Sequence, residues 1–238
     1  MSAPRDVPEG GGGVARRLLR PARQETYEKV FSTVYVGLMT NVLLALSCAP
    51  LLLALAVVRD PLASWPFFGV LSLLCAPALT GAFGCFEALD EGGTGVLRAF
   101  WGAYRRTWRR ALAVWAAAGT AVAVLAVDAA AVAGTGWGPA LVPFFCTAAA
   151  LVISVAFALL VLAGEPRTAA ERTRLRALVL PCLFLVARRW YLAAATLVVL
   201  GLAVAVVLVK PVAGLLLLAS PLLYAAWATM RYVVAPIR

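Results

Sequence analysis

The side chains that could carry chemistry in this sequence are few, and their types narrow the reactions open to the chain. No histidine occurs, and the five cysteines include no Cys-x-x-Cys pair, so the usual zinc and haem signatures are missing. The absence of histidine also removes the side chain that most often acts as a general base near neutral pH. No nucleophile–base or metal-ligand constellation appears. We therefore predict a protein that is not an enzyme and that carries no cofactor and no metal.

Asp128 is the most conspicuous candidate functional residue, because its carboxylate lies inside a long apolar stretch. A helix places it about 27 Å beyond Arg110. A charge in lipid is costly unless it is paired, so Asp128 indicates either a function or a structural ion pair. Lys210 lies at a comparable depth, about 31 Å along its own helix from Arg189. We favour a structural pair with Lys210 and leave open a role for Asp128 in substrate binding or coupling.

Asn41, Pro50 and Pro77 are the other candidates within apolar stretches. The Asn41 amide is suited to hydrogen bonding between helices, with substrate contact as the alternative. A proline lacks the backbone N–H of a helix interior, so Pro50 and Pro77 predict helix kinks. Broken helices form binding sites in some transporters, but plain kinks are as common.

These candidates belong to a chain whose composition is too apolar for a soluble protein. It is 63% hydrophobic and 13% charged, with a mean hydropathy of +0.93, whereas soluble domains are about 45–50% apolar and about 25% charged. Six apolar stretches each approach the roughly 20 residues that cross a bilayer, namely 33–58, 65–89, 111–133, 140–163, 191–209 and 212–230. Runs rich in Ala, Leu and Val without polar alternation favour helices over a barrel. We predict an all-α, polytopic transmembrane bundle of six spans over residues 31–238, preceded by a disordered, basic cytoplasmic tail over residues 1–30.

The positions of the basic residues predict the orientation of this bundle. With the N-terminus in the cytoplasm, 19 of the 21 Lys and Arg residues lie on the inner side, and only Arg59 and Lys210 lie outside. This distribution follows the positive-inside rule and explains the net charge of +10 without nucleic acid. We expect a cytoplasmic (inner) membrane protein with both termini cytoplasmic and its basic loops against the anionic inner leaflet. Labelling of single cysteines in loops 98–110 and 167–189 from the outer side would contradict this topology.

Each of these two loops contains a further predicted helix. In the first, called here the elbow (residues 97–110), apolar side chains form a stripe about 100° wide and arginines occupy the other side, which is typical of an amphipathic helix in the headgroup plane. The stripe consists of Leu97, Phe100, Trp101, Tyr104 and Trp108, and the basic side includes Arg105 and Arg106. In the second loop, the apolar run 177–187 contains Pro181, which is expected to break it, and is too short to span. We therefore predict two cytoplasmic interfacial helices, the second being interfacial or re-entrant.

The acidic residues at the end of the second apolar stretch lie close to these basic loops. They are Glu87, Asp90 and Glu91. Because opposite charges meet there at the membrane surface, we expect interfacial salt bridges.

Four segments of the chain together have a recognisable order. They are Asn-Val-Leu-Leu-Ala-Leu-Ser-Cys-Ala-Pro at 41–50, Ala-Pro-Ala-Leu-Thr at 76–80, Phe-Trp-Gly-Ala-Tyr-Arg-Arg-Thr-Trp at 100–108, and Arg-Leu-Arg-Ala-Leu at 174–178 followed by Arg188 and Arg189. From about residue 31 to the C-terminus the chain thus resembles YesL-like proteins, a family of bacterial integral membrane proteins classed as a domain of unknown function. It departs from the family pattern at Thr107 and Trp108, where an Asn is expected after the basic pair.

The resemblance implies a context but no mechanism, since the family is similar to components found beside carbohydrate-uptake ABC systems. We predict an accessory or interaction protein with ABC transporter subunits as partners. The alternative is a small-molecule transporter or channel in its own right. An importer permease should show an EAA-x3-G…Leu-Pro coupling loop, and residues 87–89 begin similarly but nothing follows at the required spacing. This difference favours the accessory interpretation.

The proposed pairing of Asp128 with Lys210 predicts a pattern of stabilities, with Arg59 as the second-choice partner. Asp128→Asn or Lys210→Met alone should lower thermal stability in detergent, because each leaves one charge uncompensated in an apolar environment. The double variant should recover part of the loss. Strictly additive effects of the two substitutions would contradict the pair. Loss of transport in Asp128→Asn at unchanged stability would instead assign the carboxylate to coupling or substrate binding.

Overall fold

In a computed structural model, residues 13–58, 64–93, 95–164, 175–209 and 214–237 are described, and they form helices joined by turns. The α-helices of these ranges are α1 (Gly13–Ser47), α2 (Ala49–Val57), α3 (Trp65–Ser72), α4 (Cys75–Asp90), α5 (Val96–Ala133), α6 (Gly138–Gly164), α7 (Leu175–Arg188), α8 (Trp190–Val209) and α9 (Ala219–Val234). A π-helix (Gly214–Leu218) precedes α9 and a 3₁₀ turn (Ala235–Ile237) follows it. Within these ranges there is no strand, which confirms the all-α class.

Five helical segments of the described residues are long and apolar enough to cross a membrane. They are Val30–Ser47, Pro66–Asp90, Val96–Ala133, Gly138–Gly164 and Trp190–Val209. The sixth predicted span, 212–230, falls on the π-helix and the 16-residue α9. The multi-pass character is therefore confirmed, and the count of six remains a prediction.

The chain divides into two compact units, Met1–Tyr35 and Val36–Arg238. The predicted boundary after residue 30 falls within the first unit. The structure has helix from Gly13, which corrects the prediction of disorder for residues 13–30; residues 1–12 lie outside the described ranges. The glycine run ends at Gly13, and the Leu, Ala, Arg and Glu residues beyond it are good helix formers.

The predicted kinks in the first two apolar stretches are present as helix breaks just before the two prolines. Pro50 is the second residue of α2, and Pro77 is the third residue of α4. Proline is tolerated there because the N–H groups in the first turn of a helix have no intrahelical acceptor, so the missing N–H breaks no hydrogen bond. Pro181 behaves differently, since α7 continues through it, and the predicted break of residues 177–187 is wrong.

A close helix contact joins α4 to α5. A Cβ atom on Gly81 would lie 3.0 Å from the Phe100 ring, and one on Gly84 would lie 2.6 Å from the Cβ of Ala103. Both Phe100 and Ala103 are buried. The two glycines therefore let the α4 backbone approach α5 more closely than any larger residue would allow.

The buried core lies toward one end of the helices. On α5 burial stops after Val114, and on α6 it is continuous over residues 154–162. The rings of Phe83 and Phe157 meet edge to face at 5.5 Å, and Phe86 lies 5.8 Å from Trp227. The apolar side chains of the opposite end are largely exposed, as is expected where a lipid solvent replaces protein contacts.

The elbow is helical as predicted, but it is not a separate element. It forms the first turns of α5, which runs unbroken for 38 residues from Val96 to Ala133. At 1.5 Å per residue this helix is about 57 Å long, well beyond about 30 Å of hydrocarbon. No proline interrupts the transition from elbow to span, and its Arg and Ala residues favour a continuous helix. By contrast α7 is a distinct short helix, as predicted for the second loop.

The α4–α5 contact predicts opposite effects for two glycine substitutions. Gly84→Ala should lower the free energy of unfolding by about 1–3 kcal/mol through overpacking against Ala103. Gly119→Ala on α5 is the matched control, since nothing lies within 4 Å of the added Cβ, and it should be neutral or stabilise by up to about 1 kcal/mol. Unfolding in mixed detergent micelles measures both.

Adding Ala103→Gly to Gly84→Ala should restore part of the lost stability, because it removes the clashing methyl group. Wild-type stability of the Gly84→Ala variant would show that the two helices do not approach as described.

Candidate functional site

Charged side chains gather at the end of the bundle where α4, α6 and α9 terminate. Arg231 binds Asp90, the last residue of α4, with Nη1 and Oδ2 2.7 Å apart. The hydroxyl of Tyr224 donates to the other oxygen of Asp90 at 3.2 Å. The guanidinium of Arg231 also lies over the Trp227 ring, 4.7 Å from its centroid. The predicted salt bridge of Asp90 is thus confirmed, with a partner on α9 rather than on the elbow.

Two further arginines bind the carbonyl groups of neighbouring helix ends. Arg106 donates to the carbonyl of Gly164, the last residue of α6, at 3.1 Å. Arg189 donates to the carbonyl of Tyr232 near the end of α9 at 2.8 Å, and its guanidinium lies 4.8 Å from the Tyr232 ring centroid. Helix C-termini have unpaired carbonyls and partial negative charge, so cations are stabilising there. These contacts tie α5 to α6, and the turn between α7 and α8 to α9.

The elbow faces α4 with a different set of side chains from the predicted stripe. Of the stripe only Phe100 is fully buried; Leu97, Trp101 and Trp108 are 52%, 39% and 43% exposed. Tyr104 is half-buried, and Arg105 and Arg106 are exposed. The buried face consists of Val96, Phe100, Ala103, Thr107, Ala111 and Val114. The apolar stripe thus turns away from α4, and we call the outward side chains Leu97, Trp101, Arg105, Trp108 and Arg109 the elbow surface.

A buried hydrogen bond joins α4 to the elbow. The hydroxyl oxygens of Thr80 and Thr107 lie 2.7 Å apart, and each hydroxyl also contacts a carbonyl of its own helix, at Pro77 and Ala103 respectively. Sequence inspection did not single out this pair. The available signal was weak, since one hydroxyl per helix among many apolar residues does not identify its partner.

Asn41 forms the interhelical hydrogen bond that its amide predicts. Its Nδ2 donates to the carbonyl of Leu216 at 2.8 Å, and Leu216 lies in the π-helix. The other amide atom, Oδ1, is buried without a hydrogen-bond partner among the described residues. A π-helix leaves backbone groups out of the regular α-helical ladder, which explains why a carbonyl is accessible to Asn41.

The two helix breaks carry the same tripeptide and lie side by side. Cys48 and Cys75 each begin a Cys-Ala-Pro sequence, and their thiols are neighbours in the bundle. Cys48 is buried and Cys75 is half-buried. The breaks of the first two apolar stretches therefore meet at one level of the bundle.

The remaining candidates are not brought together by the described structure. Asp128 is exposed on α5, and Lys210 and Arg59 lie outside the described residues, so the proposed ion pair stays a prediction. Within the described ranges no group of three or more Cys, Asp or Glu side chains is placed to hold a metal ion. The buried polar side chains there are neutral, namely Thr40, Asn41, Thr80, Thr107, Ser154, Thr196 and Ser220.

No protein-family model matches this chain, and no curated protein and no solved structure matches it either.

The bond from Asn41 to the π-helix predicts a measurable loss of stability on substitution. Asn41→Leu should lower the free energy of unfolding by about 0.6–2 kcal/mol, the range for interhelical polar contacts in membranes. Thr196→Val is the control, because the equally buried Thr196 hydroxyl donates only to the Leu192 carbonyl of its own helix. Unfolding in mixed micelles compares the two. A fully stable Asn41→Leu variant would mean that the bond contributes nothing.

Proposed function

We propose that this multi-pass membrane protein is a non-enzymatic accessory or interaction subunit that binds ABC transporter subunits of a carbohydrate-uptake system. The observation that carries the proposal is the elbow surface. Its indole and guanidinium groups point away from α4, while the opposite face of the same helix is fixed by Phe100, Ala103 and Thr107. Trp, Tyr and Arg are the residues most enriched at the energetic centres of protein interfaces.

Three residues of the elbow surface, Trp101, Trp108 and Arg109, pack against neighbouring side chains of the same helix. Trp101 packs against Tyr104 at 5.3 Å and Phe100 at 5.8 Å between ring centroids. The Arg109 guanidinium lies 5.2 Å from the Trp108 ring. Preorganised side chains lose less conformational entropy on binding, which favours a permanent interaction surface.

The YesL-like resemblance supports the transport-associated context. Two of the resembling segments, 76–80 and 100–108, touch through Thr80 and Thr107, and either Thr107 or Trp108 stands where the family pattern has Asn. The polar side chain of Thr107 thus has a partner in the other segment. The resemblance and the distribution of 19 of the 21 basic residues also support a bacterial cytoplasmic membrane with both termini cytoplasmic.

A mild-detergent purification with mass spectrometry tests the accessory function. ABC transporter subunits should co-purify with the wild-type protein and be lost when Trp101→Ala and Trp108→Ala are combined. Trp137→Ala is the control, because Trp137 is 75% exposed in the turn between α5 and α6. Purification without any ABC subunit, or equal retention by all variants, would contradict the elbow surface as the partner site.

A small-molecule transporter is the second candidate, and the helix breaks favour it. The breaks at Cys48 and Cys75 are in contact, and the π-helix that binds Asn41 adds another irregular segment. Irregular backbone inside a membrane protein is tolerated where it is buried or lines a pathway. Ligand-dependent flux in proteoliposomes that contain the purified protein alone would establish transport and displace the accessory proposal.

A further inference from the structure

An apolar groove lies between α5, α6 and α7. Its volume is about 620 Å³, within the roughly 300–1,000 Å³ of ligand-binding clefts. Ala113 and Ala117 line it from α5, Val152 and Leu159 from α6, and Val179 and Leu183 from α7. The alanines create the space, because their small side chains leave the volume that larger residues would fill.

Arginines of the elbow stand directly above this groove on α5. Arg110 precedes Ala113 and Ala117 by about one and two turns on the same side of the helix. Arg106, one turn earlier again, reaches across to the carbonyl of Gly164 at the end of α6, which places its guanidinium between two of the three helices that form the groove. The groove is therefore apolar along its length and basic at its mouth.

The charged residues of α5 make the mouth of the groove positive. The helix carries five arginines, all within residues 98–110, and a single acidic residue, Asp128, near its other end. Guanidinium groups bind phosphate through paired N–H donors, and each basic group near a lipid surface adds roughly 1 kcal/mol of attraction to an anionic headgroup.

We propose that the α5–α7 groove is a binding site for an anionic phospholipid, with an acyl chain lying along Ala113 and Ala117 and the phosphate held by Arg110 and Arg106. The positions of these residues along α5 agree with this arrangement. Ala113 and Ala117 lie about 4.5 and 10 Å along the helix from Arg110, which is where the first part of an acyl chain lies below a phosphate at the membrane surface.

Native mass spectrometry of the full-length protein in mild detergent tests the site. The protein is titrated with phosphatidylglycerol and with phosphatidylcholine of identical chains. Ala117→Phe fills the groove, and Ala116→Phe is its control on an exposed neighbouring position that does not line the groove. Arg110→Gln removes the headgroup contact, Arg110→Lys keeps the charge, and Arg98→Gln removes the same charge about 22 Å from Ala113.

We expect the wild type to bind phosphatidylglycerol more tightly than phosphatidylcholine. Ala117→Phe should weaken both lipids while Ala116→Phe leaves them unchanged. Arg110→Gln should weaken phosphatidylglycerol alone by about five-fold, with recovery in Arg110→Lys and no change in Arg98→Gln.

Three outcomes would overturn the proposal. Equal wild-type affinity for the two lipids would mean that the groove does not select an anionic headgroup. Equal effects of the two phenylalanine variants would place the lipid elsewhere. Equal effects of Arg110→Gln and Arg98→Gln would indicate general surface attraction. If Arg110→Gln fails to fold, the proposal is still tested by the lipid preference of the wild type and by the comparison of Ala117→Phe with Ala116→Phe.

Discussion

At Gly84 the backbones of α4 and α5 come so close that a Cβ atom would lie 2.6 Å from the Cβ of Ala103. In lipid, apolar side chains gain little by leaving the solvent for a helix interface, so association depends on close backbone approach and on hydrogen bonds. This contact provides both, since the hydroxyls of Thr80 and Thr107 meet about one turn away. It thereby fixes the rotation of α5 about its own axis, which decides which side chains face α4, α6 or the surroundings.

The placement of the arginines follows from this rotation. With Phe100 and Ala103 against α4, the next side of α5 directs Arg106 to the end of α6, where the Gly164 carbonyl accepts its hydrogen bond. Arg189 likewise binds a carbonyl near the end of α9, whereas Arg231 binds the carboxylate of Asp90 at the end of α4. Basic residues are favoured on the inner side during membrane insertion, and helices that run inward end there with unpaired carbonyls. Arg106 and Arg189 therefore stabilise the ends of α6 and α9.

Sequence alone predicted that the chain lies in lipid, that it is all-α, that the elbow is helical and that the helices break near Pro50 and Pro77. Each of these features depends on the residues of one short segment or on overall composition. It did not specify which side of the elbow packs against α4, because in a membrane both lipid and protein interfaces are apolar and a helical wheel does not distinguish the buried Phe100 from the exposed Trp101. Small residues were equally ambiguous. A Gly-x-x-x-Ala pattern begins both at Gly84 and at Gly119. A Cβ atom added at Gly119 would have no neighbour within 4 Å, whereas one at Gly84 would meet Ala103, and the pattern itself does not show which residue of α5 lies opposite. Pairings such as Thr80 with Thr107 and Asn41 with Leu216 join distant parts of the chain, and no local pattern specifies them.

The two exposed sides of α5 differ in shape because they differ in side-chain size. Around the elbow, Trp101 and Trp108 project beyond the helix and form a protrusion, whereas on the far side, one to two turns later, Ala113 and Ala117 leave a concavity beside α6 and α7. A protruding, rigid aromatic surface suits the pocket of a protein partner, and a narrow apolar concavity with a basic mouth suits a single lipid chain and its phosphate. Since α5 is one unbroken helix, both surfaces depend on the same anchor at Gly84. Loss of that contact would therefore be expected to disturb both surfaces together, while a substitution confined to one side would leave the other intact.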